Sequence, residues 1–304
     1  MTVLKNLVLV RKKRMSAFRK IALGTWSTVG DPSVYGTIEL RMDRALEYLA
    51  LFNAKTGRRA TVTHLVAKAA AAALRATPDA NAILRYNRLY LRQDVGVFFQ
   101  VAMTDGLVSG RSGSPPADGG QESAGLSGLV IHDVDKKSLV ELCDEFRDRV
   151  DLVRVGKDRA LERTRQSMKR IPGIFLRWSL RFVSFFAYTL NLNPALFGVP
   201  RDAFGSIMIT NIGSLGLDLA YPPLVPYSRV PILLAIGAVK DAPVAEGGQV
   251  VVGKVMNLSV TFDHRFIDGV HAAQMANILR AWIHHPAEHY DPLEPRTPAS
   301  GSAG

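Results

Sequence analysis

Apolar residues recur along this chain in two alternating rhythms, short runs of strand length and longer stretches spaced three and four apart. Tyr35 to Met42 alternates as a strand, and Asp43 then opens a helix through Phe52 as its cap. Thr61 to Arg75, rich in alanine and leucine, predicts a strong helix capped by Thr61 or Thr63 and stopped before Pro78. Val95 to Met103 is a continuous apolar run, the pattern of a strand buried on both faces. Leu126 to Val134 predicts a strand, Lys136 to about Arg149 a helix, and Phe204 to Ile212 and Pro231 to Val239 two more strands. Gly247-Gly248 turns the chain between Pro243-Val244 and Val250-Val251. The β-branched run Val250 to Val260 then leads into a helix from Val270 to Ile283, where Met275, Ile278, Leu279 and Trp282 share one face. Alternation of this kind predicts an α/β layered sandwich with a mixed sheet.

Ser16 to Trp26 predicts one more helix behind a basic segment over residues 1–15. Leu107 to Gly125 turns to Gly, Ser and Pro and reads as a flexible loop over 107–125. The tail over 292–304 has the composition of a disordered end.

Composition changes this picture little: 47% hydrophobic residues are ample for a core. The single cysteine, Cys143, falls on the apolar side of its helix beside Leu139, Leu142 and Phe146. It reads as a core thiol without a disulfide partner, which suits a reducing compartment. Met1 to Val10 lacks the features of a secretory signal ahead of Arg11-Lys12-Lys13-Arg14, so a cytoplasmic location is expected. Lys and Arg number 38 against 27 Asp and Glu, a net charge of +11 that favours anionic partners. Nucleic acid is not expected among them, because no recognition module is present and the basic residues are not interleaved with sheet aromatics.

Candidate chemistry concentrates in Thr261-Phe-Asp-His-Arg-Phe-Ile-Asp-Gly269, between the last strand and the last long helix. His264 therefore sits in a tight strand-to-helix connection with two carboxylates, an arginine and a glycine, more polarity than an ordinary core turn carries. Asp263 and Asp268 could form an acid–base pair or a metal site, but with one histidine between them structural pairing to arginine fits better, and no metal is expected. His284-His285-Pro286-Ala-Glu288-His289 has metal-like residues, yet Pro286 breaks any helix that would align them. His64 reads as a packed or exposed helical histidine, and nothing assigns a role to His271.

Several segments together resemble the catalytic domain of the 2-oxoacid dehydrogenase dihydrolipoyl acyltransferases, which is similar in fold to chloramphenicol acetyltransferase. They are Arg19-Lys-Ile-Ala22, Thr61 through Pro78-Asp-Ala-Asn81, Asp135-Lys-Lys-Ser-Leu139, Gly205-Ser-Ile-Met-Ile-Thr-Asn-Ile-Gly213, Pro231-Ile-Leu-Leu-Ala-Ile-Gly237 and Asp263-His-Arg-Phe-Ile-Asp-Gly269, in the family's order. The resemblance implies a chloramphenicol acetyltransferase-like two-layer sandwich over 16–291 and an acyltransferase that uses coenzyme A as a substrate. It implies a homotrimer, or a larger multiple of trimers, with active sites between subunits. His264 would be the catalytic base, Thr210 the hydroxyl that meets the oxyanion, and Asp268 an acid that braces the turn. Arg19 would be an ionic partner of that acid, and Arg265, Gly269 and Asn211 would support the site. No lipoyl or subunit-binding domain precedes residue 11, so a lipoyl group is expected only from another protein. A catalytically silent trimeric scaffold is the competing reading.

The segment over 151–200 departs from the family. Arg154 to Arg170 is basic, and Ile174 to Leu190 is apolar around a narrow polar stripe of Arg177, Arg181, Ser184 and Tyr188. A spanning helix needs about 20 mostly uncharged residues, and this stretch is too short and too charged. Three readings stay open: a helical pair packed on the assembly, an in-plane membrane helix giving peripheral contact through 154–190, and a lid or tunnel wall for a longer acyl chain.

Overall fold

A computed structural model describes residues 6–13, 32–103, 125–154, 173–197 and 199–293. The predicted helix at 16–26, most of the loop at 107–125 and of the tail, and the basic stretch at 155–172 lie outside the described residues.

A six-stranded mixed sheet runs in the order β2-β9-β8-β7-β5-β6. Its strands are β2 (Ser33–Arg41), β5 (Val97–Met103), β6 (Gly125–Ile131), β7 (Ile207–Asn211), β8 (Ile232–Glu246) and β9 (Gln249–Asp263). β5, β7 and β8 are parallel neighbours, and the remaining pairs are antiparallel. Helices α1 (Asp43–Thr56), α2 (Val62–Ala76), α3 (Leu139–Arg154) and α5 (Gly269–His284) bring apolar residues to one face of it. Leu49, Phe52, Leu65, Leu74, Leu142, Leu279 and Ile283 meet Val97, Phe99, Ile207, Ile209, Leu234 and Leu258 there in one continuous core. The helices α4 (Gly173–Ser184) and α6 (Pro286–His289) complete the set used below.

A second, three-stranded sheet, β1-β4-β3, escaped the sequence reading. Its strands are β1 (Leu9–Arg11), β3 (Ala82–Arg85) and β4 (Arg88–Arg92). β3 and β4 form a hairpin through Tyr86 and Asn87, both at positive φ (49° and 55°). A two-residue turn of that hand normally announces itself by Asn-Gly or Asp-Gly, and Tyr-Asn hides it.

Three local expectations give way. Asp43 does not cap α1, because the cap position is Met42. Its carboxylate instead accepts from Arg41 Nε (2.9 Å) and the Lys254 backbone (3.1 Å). β5 is buried on one face only: Val97 and Phe99 enter the core, and Phe98 packs on the other side with Met208 and Leu233. In the segment after residue 172 the expected polar stripe divides, since Ser184 and Tyr188 are buried while Arg181 stays exposed among several aromatic side chains that face solvent. A π-helical turn, Phe185–Thr189, shifts the helical phase at that point.

His64, in the first turn of α2, is buried against the ring of Phe146, and its Nδ1 accepts from the Thr61 backbone at 3.1 Å. Burial lowers its pKa from 6.5 to about 4. The unfolded chain therefore takes up a proton that the folded chain refuses, so this contribution is full above pH 6.5 and is lost as pH falls toward about 4. Urea unfolding across that window should show stability declining in the parent protein and declining less in His64→Gln.

Candidate active site

β9 ends where two prolines close the neighbouring strands. Asp263 N–H donates to Pro231 O and His264 N–H to Pro32 O, both at 2.9 Å. A proline offers an acceptor and no donor, so the ladder stops and the chain turns. Phe266 and Ile267 then donate back to Asp263 O at 3.0 and 3.2 Å, and both side chains are buried in the core. Asp268 caps α5, its Oδ1 accepting from Val270 N and His271 N at 3.0 Å each. The buried Asp263 carboxylate is met by Arg265, through the backbone N–H (2.9 Å), Nε (3.0 Å) and Nη2 (2.6 Å). That forked, charge-assisted pairing offsets the desolvation of the acid.

This frame holds the half-buried His264 with Nδ1 2.7 Å from Ile267 O. A carbonyl cannot donate, so Nδ1 carries the proton, and in the neutral ring the basic lone pair is on Nε2. No side-chain motif could have revealed that partner, because it is a main-chain oxygen.

Thr210 and Asn211 end β7. Ile207 and Ile209 enter the helix-covered core, whereas Met208 faces the opposite side, which puts Thr210 on that opposite face by alternation. Asn211 Nδ2 donates to Thr63 Oγ1, and its Oδ1 accepts from Ser214 N, both at 3.0 Å. At Gly213 a Cβ would lie 2.5 Å from Gly237 O, so the strand end is closed by glycine alone. Thr210 pairs with Ala235, which pairs with Ser259, five residues before His264. At strand spacing this separates the two by about 17 Å along the sheet and about 10 Å across it. One chain therefore keeps His264 and Thr210 apart. Asp268, Arg265 and His264 are together at one end, Thr210 and Asn211 belong elsewhere on the sheet, and Arg19 lies outside the described residues. A Cβ on Gly269 would meet nothing within 4 Å, so crowding within the chain does not explain that glycine.

His271, to which the sequence assigns no role, stands in the same corner. Its Nδ1 lies 2.5 Å from Asp268 Oδ1 and its Nε2 3.8 Å from Asp79 Oδ2, and Asp79 in turn pairs with Lys12. The signal was the Pro78-Asp-Ala-Asn81 segment, whose acid reaches α5 only in three dimensions. A further cluster, Asp94, His132 and Asp202, brings ligand-type atoms within 4.8 Å of one another. The buried Arg92 guanidinium pairs with Asp202 there and supplies the positive charge, which makes it an ion network. Hydrogen bonding from His132 holds Asp94 down at about 2.

The 2-oxoacid dehydrogenases acyltransferase (catalytic domain) family matches residues 11–110 and 203–290, more than half of the chain, leaving out the segment that carries α4. The dihydrolipoyllysine-residue acetyltransferase component of the acetoin cleaving system of Bacillus subtilis is 26% identical over 231 residues, covering 76% of this chain and 43% of its own length. The chain thus spans less than half of that relative. A structure of a probable dihydrolipoamide acetyltransferase from Listeria monocytogenes superposes with a TM-score of 0.60 at 16% identity, covering 93% of this chain and 98% of that one. Chloramphenicol acetyltransferase superposes with a TM-score of 0.50 at 12% identity, covering 91% and 100%. The fold is the chloramphenicol acetyltransferase-like sandwich.

The cap makes a direct prediction. Asp268→Ala should lower unfolding stability by about 1 kcal/mol, and Asp268→Asn, whose amide oxygen also caps, should keep most of it, as read by denaturant titration.

Proposed function

The chain belongs to the family of 2-oxoacid dehydrogenase acyltransferase catalytic domains, and from that premise we propose that it moves an acyl group between coenzyme A and the thiol of a dihydrolipoamide-type or other acceptor. The observation that carries the reading is the Nδ1 contact of His264 with Ile267 O at 2.7 Å, which leaves Nε2 as the base.

The chemistry follows from that tautomer. A thiol of reference pKa about 8.5 gives its proton to an imidazole of about 6.5. The resulting thiolate attacks the thioester carbonyl, and a tetrahedral oxyanion forms. Thr210 of a second copy donates its hydroxyl to that oxyanion. Collapse breaks the original carbon–sulfur bond, and the departing thiolate recovers the proton from His264. Threonine's branched Cβ restricts the hydroxyl rotamer, so donation requires the allowed one.

The separation of His264 from Thr210 within one chain supports a site shared between copies, and we place it in a homotrimer that assembles further in the manner of multienzyme cores. A separate lipoyl-carrying protein supplies the acceptor where that acceptor is lipoyl. A cytoplasmic location with peripheral membrane contact through 154–190 belongs to the same reading. Among the described residues no helix is long and apolar enough to cross a membrane.

Acyl exchange with a series of acyl-CoA donors tests the proposal. His264→Ala should lower kcat by about 10²- to 10⁴-fold, and Thr210→Ala by about 10²- to 10³-fold. Mixing the two inactive variants under subunit exchange should restore activity, because some interfaces then pair an intact histidine with an intact threonine. A parent protein that neither turns over nor binds coenzyme A by calorimetry would favour the scaffold.

A further inference from the structure

The outward face of α4 is aromatic. Phe175, Trp178, Phe182 and Phe185 are 58%, 67%, 51% and 44% exposed. Their spacings of three, four and three set them in one stripe along the helix and its π-helical continuation. A contiguous aromatic patch is costly to leave in water and marks a contact surface. The inward side is held firmly. Arg229 donates through Nε to Ser184 Oγ (3.1 Å) and through Nη2 to Thr189 Oγ1 (3.4 Å), and Tyr188 packs with Leu7 and Ile83. The Asn191 side chain accepts from Leu7 N (2.7 Å) and donates to Leu7 O (2.8 Å). The stripe is thus presented by a fixed helix rather than by a loose one.

Charge identifies the occupant. Residues 154–181 contain nine Lys or Arg against two Asp or Glu, most of the excess in a chain of net charge +11. Arg181, exposed on α4, lies over the Trp178 ring at 5.7 Å. An aromatic body with a cationic head beside it matches the boundary between acyl chains and anionic headgroups. With 12 residues α4 is far too short to span a bilayer, which takes about 20. We infer that α4 is an in-plane docking helix for an anionic bilayer, with Phe175, Trp178, Phe182 and Phe185 entering the acyl boundary and Arg181 meeting headgroup phosphates. This deepens the membrane contact within the proposed function by naming the face and the lipid charge that it needs. The docking face also shares an end of the sheet with the His264 turn, since Arg229 is two residues from Pro231, the acceptor of Asp263 N–H.

Co-sedimentation of the full chain with phosphatidylcholine vesicles, with and without phosphatidylglycerol, tests this and needs no acyl substrate, so its failure leaves the acyltransferase reading untouched. Binding is expected only to the anionic vesicles, weakening as salt rises. Trp178→Glu with Phe182→Glu, and separately Arg181→Glu, should each reduce partitioning by about tenfold or more. Should the glutamate pair fail to fold, Trp178→Cys labelled with a polarity-sensitive dye gives a second measurement, because Cys143 is buried. Its emission should shift to the blue on anionic vesicles. No sedimentation with anionic vesicles, or sedimentation indifferent to these substitutions, would overturn the inference. So would a smaller species by light scattering for the glutamate pair than for the parent, which would show that a second copy covers the stripe.

Discussion

The arrangement of this protein depends on two backbone hydrogen bonds at the end of β9. Asp263 and His264 spend their N–H groups on the carbonyls of Pro231 and Pro32, one on each flanking strand. The turn that follows is therefore gripped from both sides of the sheet. Phe266 and Ile267 plug the core, Asp268 caps α5, and the Ile267 carbonyl falls within reach of the His264 ring. The side chains of the motif divide the labour accordingly: Asp263 and Arg265 neutralise each other, Asp268 and His271 hold the helix start, and His264 keeps a defined tautomer. Polarity that looks excessive for a turn is almost wholly consumed in holding it.

The same sheet explains why a single chain holds only half of the proposed chemistry. β7 delivers Thr210 to the face away from the helices, two strands across from β9 and several residues up. Strand geometry allows no side chain to bridge such a span. The segment carrying α4 is anchored at the His264 end through Arg229. Burial of that guanidinium, with Arg265 nearby, lowers its pKa from the usual value. Family chemistry and the added segment thus meet at one end of one sheet.

Much of this was legible beforehand because its causes are local. Alanine and leucine make α2 a helix wherever it packs, Gly247 and Gly248 turn β8 into β9 through two positive φ angles, and Cys143 lies on an apolar stripe and is buried, its thiol pushed up to about 12. The β3–β4 hairpin was not legible, since Tyr86 adopts a left-handed conformation that a bulky side chain disfavours, beside an Asn87 that accepts it. The Asp43 cap failed because Arg41, two residues away, and the backbone of Lys254, distant in sequence, compete for the same carboxylate.

By itself, then, the sequence determined the alternation of strands and helices, the strand-to-helix position of His264 and the family to which the ordered motifs belong. Each of these rests on periodicity, turn chemistry or residues adjacent in the chain. Only the tertiary structure decided which face of α4 is outward, because Arg229 holds Ser184, Tyr188 packs on Leu7 and Ile83, and a helical pattern has no absolute inside until a neighbour is placed. Likewise only the fold decided the partners of His264, His271 and Asp43. The carbonyl that meets His264 is only three residues on and is aimed by the turn, whereas the acid just past α2 and the backbone amide of β9 are partners that no linear pattern can bring together.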